Sequence, residues 1–257
     1  MHRTGKLEED KLGSVMGLQR IAPWAVAFLP WVLTLLFAAT SGAAMLEIRV
    51  KGGEHYTHVY EWGIYHLRLI PLIAIWAEDE NEDFIAHIYI NNRSATSMWG
   101  VGGKNISRPT TLPVWLHKQG IKYEDQGLVA DGNDPLLYAV ASATPQESLI
   151  KRWDTPKSLS PGNYVIKAEI NHAYDYNERY QKDLPKDHPD FNAENGQPSV
   201  IWKGEWSFGL KEERISLVPY GHGHPLGKDG KIYTDMDGIT DALKIVESVE
   251  VEYMPGR

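Results

Sequence analysis

The chain contains no cysteine. Disulfides, thiolate metal sites and cysteine nucleophiles are therefore excluded, and the core must hold by packing alone. Phenylalanine is scarce, with Phe 5 against Trp 9 and Tyr 13. The aromatic set is accordingly amphipathic, which suits sheet rims or a ligand-facing surface. Positive charge is also short: Lys and Arg number 26 against 34 Asp and Glu, a formal charge of −8. With no basic cluster to offset that balance, a nucleic-acid partner and electrostatic adhesion to anionic lipid are disfavoured. A serine-nucleophile elbow, a zinc-protease helix and a phosphate loop are all missing. Gly100, Gly102 and Gly103 precede Lys104, but without Walker spacing or a following Ser or Thr. There is no internal repeat and no low-complexity tract.

Long apolar runs are limited to one, residues 25–39 (AVAFLPWVLTLLFAA). Arg20 stands before it, and the small residues Ser41, Gly42, Ala43 and Ala44 follow at once. This is the layout of a secretory signal peptide with a cut before Met45. An uncleaved anchor is the alternative, because residues 21–39 approach the roughly 20 apolar residues that span a bilayer. Either way the remaining chain is expected outside the cytoplasm, in the periplasm or a similar extracytoplasmic space. Residues 1–44 are read as signal peptide or anchor, and 45–257 as a single domain.

Within that domain, strand patterns dominate. Residues 46–51 alternate, 67–76 form an apolar run broken by Pro71, and 84–90 (FIAHIYI) form a second strand behind the polar turn EDENED. The alternation predicts Phe84, Ala86, Ile88 and Ile90 on one face and Ile85, His87 and Tyr89 on the other. Residues 149–170 read as a strand pair: Leu149, Ile150 and Trp153 lead to Asp154, a Ser-Pro-Gly-Asn turn follows, and Tyr164, Ile166, Ala168 and Ile170 alternate with Val165, Lys167 and Glu169. The first set should be core, and Lys167 should tolerate alanine. Residues 171–198 read as a long polar insertion, 199–208, 215–218 and 249–253 as further strands, and a short helix capped by Thr240 begins at Asp241. The expected fold is mainly β, an immunoglobulin-like sandwich with long loop insertions and one short C-terminal helix.

Three stretches together carry a resemblance: residues 73–79 (IAIWAED), 139–145 (AVASATP) and 160–180 (SPGNYVIKAEINHAYDYNERY). They resemble a family of predicted periplasmic proteins of unknown function found beside PepSY-type membrane flavin reductases. The Trp-Asp and Pro-Gly-x-Tyr portion also resembles the Ig-like domain of flagellar hook-capping proteins. The resemblance implies an accessory protein of an extracytoplasmic redox or metal-uptake system, partnered by a membrane or periplasmic protein. It supplies no catalytic residues.

Three constellations remain. Ala143 and Thr144 resemble the end of the motif through which flavin transferases attach FMN to threonine. The acidic residue and the glycine upstream in such motifs are replaced by Tyr138 and Ser142, so a strand ending at Pro145 competes with covalent FMN. His222 and His224 alternate in the loop 221–230; if extended, their imidazoles lie on one side roughly 7 Å apart at Cβ. Asp229 or Asp235 would add an oxygen ligand for a divalent metal ion, and His172 would reach it if the insertion folds over that end. Asp235, Asp237 and Gly238 imitate part of a calcium loop, but Tyr233 and Lys244 stand where an EF-hand needs acids. Finally His172, Asp175, Tyr176, Asn177, Glu178 and Tyr180 form the densest polar-aromatic patch, read as a binding surface or as a loop tied down by tyrosine hydroxyls. The leading expectation is an exported, non-enzymatic binding or accessory protein; the alternative is a metal- or flavin-carrying periplasmic redox protein.

Overall fold

The computed structural model describes residues 44–96, 108, 110–120, 141–142, 145–209 and 213–254. The apolar leader and Thr144 lie outside the described residues. In chain order the strands are β1 (Met45–Gly52), β2 (His58–Trp62), β3 (Tyr65–Leu69), β4 (Leu72–Asp79), β5 (Phe84–Asn91), β6 (Ala141–Ser142), β7 (Ser148–Asp154), β8 (Gly162–Asn171), β9 (Val200–Phe208), β10 (Glu213–His222) and β11 (Val246–Met254). Two short helices, α1 (Asn92–Thr96) and α2 (Pro113–Lys118), lie between β5 and β6. The C-terminal helix is a single 3₁₀ turn, Asp241–Lys244. Among the described residues no helix is long and apolar enough to cross a membrane.

Nine strands form one ladder in the order β6-β5-β4-β8-β9-β10-β11-β1-β7, while β2 and β3 pair only with each other. β10 turns the ladder into two layers. Its residues 213–217 pair with β11, and from Val218 onward it pairs with β9, with an irregularity between Pro219 and Gly221. Proline cannot donate a ladder bond, so the break falls where the strand changes partners. Leu46, Ile48 and Val50 of β1 and Val249, Val251 and Tyr253 of β11 face Ile73 and Ile75 of β4 and Ile166, Ala168 and Ile170 of β8 in one buried apolar cluster. This is the mainly β sandwich that the alternating pattern predicts.

The pairing differs from expectation in one place. β7 pairs with β1, whereas β8 pairs with β4 and β9, so the two runs in 149–170 are not a hairpin. Trp153 and Ile166 belong to one buried cluster but share no ladder. Alternation identifies a strand's buried face but not its neighbour. The faces of β5 also differ. Irregularities opposite Ile75–Trp76 and Ala77–Glu78 place both Ile88 and Tyr89 in the inter-layer core, with Ile90 on the opposite face. Bulges of this kind shift every later side chain by one face.

The largest departure is the outer face of the β4–β8–β9 layer, which is buried. Leu72, Ala74, Trp76 and Ile201 pack there beneath Leu112, Val114, Trp115 and Leu116. The run LPVWLH is therefore a helix roof, with Pro113 at its first turn. Leu112 makes no capping bond from its side chain. Instead, Glu169 of β8 accepts the Val114 and Trp115 N–H groups at 3.2 and 2.7 Å and the Ser199 hydroxyl at 2.6 Å. Burial nevertheless pushes its carboxyl up to about 7. Lys167, expected on a tolerant surface, is fully buried and donates to Glu78 Oε2 at 2.7 Å. Glu78 also accepts the Trp76 indole N–H at 2.7 Å and lies 3.2 Å from Lys118.

Candidate functional site

Two alternating runs, HVYEW and YHLRL, flank Gly63 and Ile64 and fold as the separate β2–β3 hairpin, with Trp62 opposite Tyr65. Gly63 takes φ 62°, the left-handed conformation that lets a two-residue turn follow the strands' twist. The alternating pattern sorts His58, Tyr60, Trp62, Tyr65, Leu67 and Leu69 to one face. At the base of that face the residues lean on the body; at the tip they do not. Trp62 is 65% exposed, Tyr65 62% and Ile64 86%. Such a group of large apolar side chains is uncommon on a protein surface and marks an interaction site more often than a lone exposed hydrophobe does.

The base of the hairpin is held by residues from the 171–198 segment. Tyr60 stacks on Tyr174 with centroids 4.4 Å apart and rings inclined by 19°. Tyr176 approaches both rings at 6.5 Å, and Lys182 donates to the Tyr60 hydroxyl at 2.7 Å. Tyr174 has φ 60°, a left-handed conformation that costs a bulky residue on the order of 1 kcal/mol or more. The stack and the bond from its N–H to the Glu194 carbonyl at 2.9 Å keep it there. Strain maintained at this junction fixes where the hairpin projects.

The segment 171–198 is irregular but packed. Asn177 Oδ1 accepts the Arg179 and Tyr180 N–H groups, Asn192 Oδ1 accepts those of Glu194 and Asn195, and Arg179 makes two bonds to Asp190 at 3.0 and 3.3 Å. Side chains substitute for a regular ladder. The six residues singled out in the sequence scatter accordingly. Tyr180 is fully buried in the inter-layer core, His172 and Asp175 are buried, Tyr176 and Asn177 are half-buried, and Glu178 is exposed. They do not form one surface patch, because the two ends of the segment are drawn inward. Tyr176 contributes to the aromatic base, with its hydroxyl donating to the Ala193 carbonyl at 2.7 Å.

The residues named for a metal site are only partly brought together: His222, His224 and Asp229 gather around Tyr233, whereas Asp235 and His172 lie elsewhere. His222 lies at the end of β10, pairs with Tyr233 on the backbone and stacks on its ring at 5.5 Å, while the His224 ring meets the same tyrosine edge-on at 5.9 Å. His224 Nδ1 accepts the Leu226 N–H at 3.0 Å. Asp229 accepts the Tyr233 hydroxyl, and Asp235 accepts the Asp237 N–H in a local turn, each at 3.0 Å. His172 lies elsewhere, bonded to the Tyr56 carbonyl at 3.1 Å and edge-on to His58. Burial, and to a lesser extent His58 and His55, pull its pKa down to about 4. Among the described residues no group of three His, Asp or Glu side chains is arranged to hold a metal ion. The glycines of 221–230 serve close packing: a Cβ on Gly223 would lie 2.7 Å from both Pro113 and Ser199.

Trp62, Ile64 and Tyr65 were not singled out from the sequence, although a two-residue glycine turn between alternating runs is a hairpin signal. That signal was eclipsed by the stronger apolar run beside it. No protein-family model matches the chain, and no curated protein or solved structure matches it either.

Proposed function

We propose that this chain is an exported, non-enzymatic binding protein, an accessory component of an extracytoplasmic redox or metal-handling system, that docks a membrane or periplasmic partner protein through the β2–β3 hairpin. One observation carries the reading: Trp62, Ile64 and Tyr65 stand exposed on a hairpin whose base is fixed by the Tyr60–Tyr174 stack. Aromatic side chains presented on a rigid element contribute most to protein interfaces, since they bury large areas while losing few rotamers. Export and the redox or metal context rest on the apolar leader and on the family resemblance.

The test is the state of the chain in its native envelope. With wild-type protein, gentle extraction and sizing should find it in an assembly larger than the chain itself. Replacing Trp62, Ile64 and Tyr65 by serine together should release it as the free chain without lowering its unfolding temperature. Wild-type protein that already runs alone would end this reading. Metal analysis and visible absorption on the same preparation address the alternative: a stoichiometric metal ion or a bound flavin would replace a docking role with a carrier role.

A further inference from the structure

The hairpin has a backbone edge that nothing covers. Its closing pair, Trp62 opposite Tyr65 across a two-residue turn, is the hydrogen-bonded kind, so bonded pairs recur at Leu67 and Leu69. The N–H and C=O groups of His66 and Arg68 therefore point away from β2. Among the described residues no strand pairs with that edge, and neither residue's backbone takes part in a loop bond. An edge of this kind is a template for another strand.

The edge opens onto a cleft of about 630 Å³, bordered also by Asn91 and by Asn92 and Arg93 of α1. From β3 the lining takes in His66, Leu67, Arg68 and Leu69 without a gap. Successive side chains of a strand point to opposite faces, so a continuous run borders one space when the strand turns its backbone edge to it. A five-residue strand is about 17 Å long, 4.8 Å across and 10 Å deep with its side chains, roughly 800 Å³. That is the order of the space available.

The two faces of β3 differ. Leu67 and Leu69 share a face with Tyr60, whose ring stacks on Tyr174, so this face turns to the body. Ala173 and Tyr174 line the cleft beside it. Arg68 stands on the other face, exposed and without an ion pair. None of the described lining residues is acidic.

We infer that the free edge of β3 takes up an extended segment of the partner protein as a third strand, with apolar side chains beside Leu67 and Leu69 and an acidic one beside Arg68. Main-chain bonds to His66 and Arg68 supply affinity, and alternate side chains supply selectivity. Opposite charges directly across a ladder favour each other, which selects the acidic residue. This deepens the docking reading and rests on it for the existence of a partner. The edge is continuous with the exposed tip, since β3 begins at Tyr65, yet Trp62, Ile64 and Tyr65 do not line the cleft. The two contacts are therefore separable by experiment.

The experiment is calorimetric titration of the purified full chain with an end-capped seven-residue peptide that alternates valine and glutamate. It should bind with a Kd below about 1 mM, and about tenfold or more tighter than a peptide of the same composition with its valines and glutamates in separate blocks. N-methylation of alternate residues removes their N–H donors. Methylating the set that points at β3 should abolish binding, and methylating the other set should not; sensitive glutamates identify an antiparallel strand and sensitive valines a parallel one. Arg68→Glu should weaken the valine and glutamate peptide about fivefold or more and bind the valine and lysine peptide in its place. Trp62→Ser should leave peptide binding unchanged. Both variants alter exposed side chains, so unfolding midpoints should stay within experimental error of wild type. Failure of the alternating peptide to bind, equal binding of the block peptide, indifference to methylation of either set, or an unchanged charge preference in Arg68→Glu would each overturn the inference. A chain that shows any of these and still runs in an assembly released by the tip substitutions would overturn strand addition alone and leave docking through the tip standing.

Discussion

The two faces of β8 are equally buried and are held by different physics. On the inner face Ile166, Ala168 and Ile170 meet hydrocarbon from the opposite layer. On the outer face Lys167 and Glu169, both fully buried, meet Glu78, Ser199 and the first amides of α2. A hydrocarbon contact fails gradually, in proportion to the atoms removed and the cavity left behind. A buried ion pair fails abruptly when one partner is lost, because the survivor keeps its desolvation cost without its compensation. One strand therefore joins a face that tolerates small changes to a face that tolerates changes only in pairs.

The sharpest way to break this contrast is Lys167→Ala, which leaves Glu78 buried beside Lys118 alone. It should cost about 3 to 5 kcal/mol in urea unfolding, at least as much as a large-to-small change on the inner face. Combining Glu78→Gln with Lys167→Met should recover most of that loss, since neither partner is then an unpaired charge. A Lys167→Ala variant as stable as wild type would remove the distinction between the faces. On the inner face, Ile166→Ala should cost about 2 to 4 kcal/mol by the same measurement, as a buried large-to-small change.

Glu169 sharpens the comparison through pH. Its folded carboxyl is raised from 4.5 to about 7, so the folded chain binds the proton more tightly than the unfolded chain does. Its contribution to stability is therefore greatest below pH 4.5 and is lost as pH rises towards 7. His172 acts in the opposite sense in an overlapping window: lowered from 6.5 to about 4, it disfavours the folded state as pH falls through that interval. Between about pH 4 and 7 the two slopes oppose each other, so the melting temperature should rise more steeply with pH in Glu169→Gln than in wild type, and should rise less or fall with pH in His172→Gln. The smallest effect belongs to the hairpin tip. Trp62→Ser should change stability by less than about 0.5 kcal/mol in thermal unfolding, because its side chain is already mostly in water.

The inner face was readable from period-two alternation in residues 46–51, 164–170 and 249–253, and that was enough to predict the sandwich; in 84–90 the bulges opposite β4 break the alternation. The outer face was misread because Lys167 and Glu169 sit at positions where alternation normally indicates solvent. A contrary signal was present in β4, whose LIAIWA run is apolar at every position. A strand buried on both faces forces its neighbour to be buried on both as well. The α2 cap was not readable at all, since its acceptor, Glu169, lies far along the chain from the helix it caps. At the candidate site, Tyr176 was named but its stacking partners Tyr60 and Tyr174 were not, because stacking across elements leaves no local pattern.

The position of β1 has a further consequence. It lies between β7 and β11, with Met45 opposite Met254 on one side and Asp154 on the other. The strand that follows the proposed leader thus finds one of its two ladder partners only at the far end of the chain. If the protein is threaded through a membrane with its N-terminus leading, β1 arrives first and waits longest. Its Leu46, Ile48 and Val50 then stay exposed until β11 emerges, and so long a loop closes slowly. Even after β7 pairs with it, β1 keeps one unpaired edge until then, of the kind that invites aggregation. Passage across the membrane would therefore favour a holding chaperone on the far side, and a truncation that removes β11 alone should yield insoluble protein rather than a smaller soluble domain.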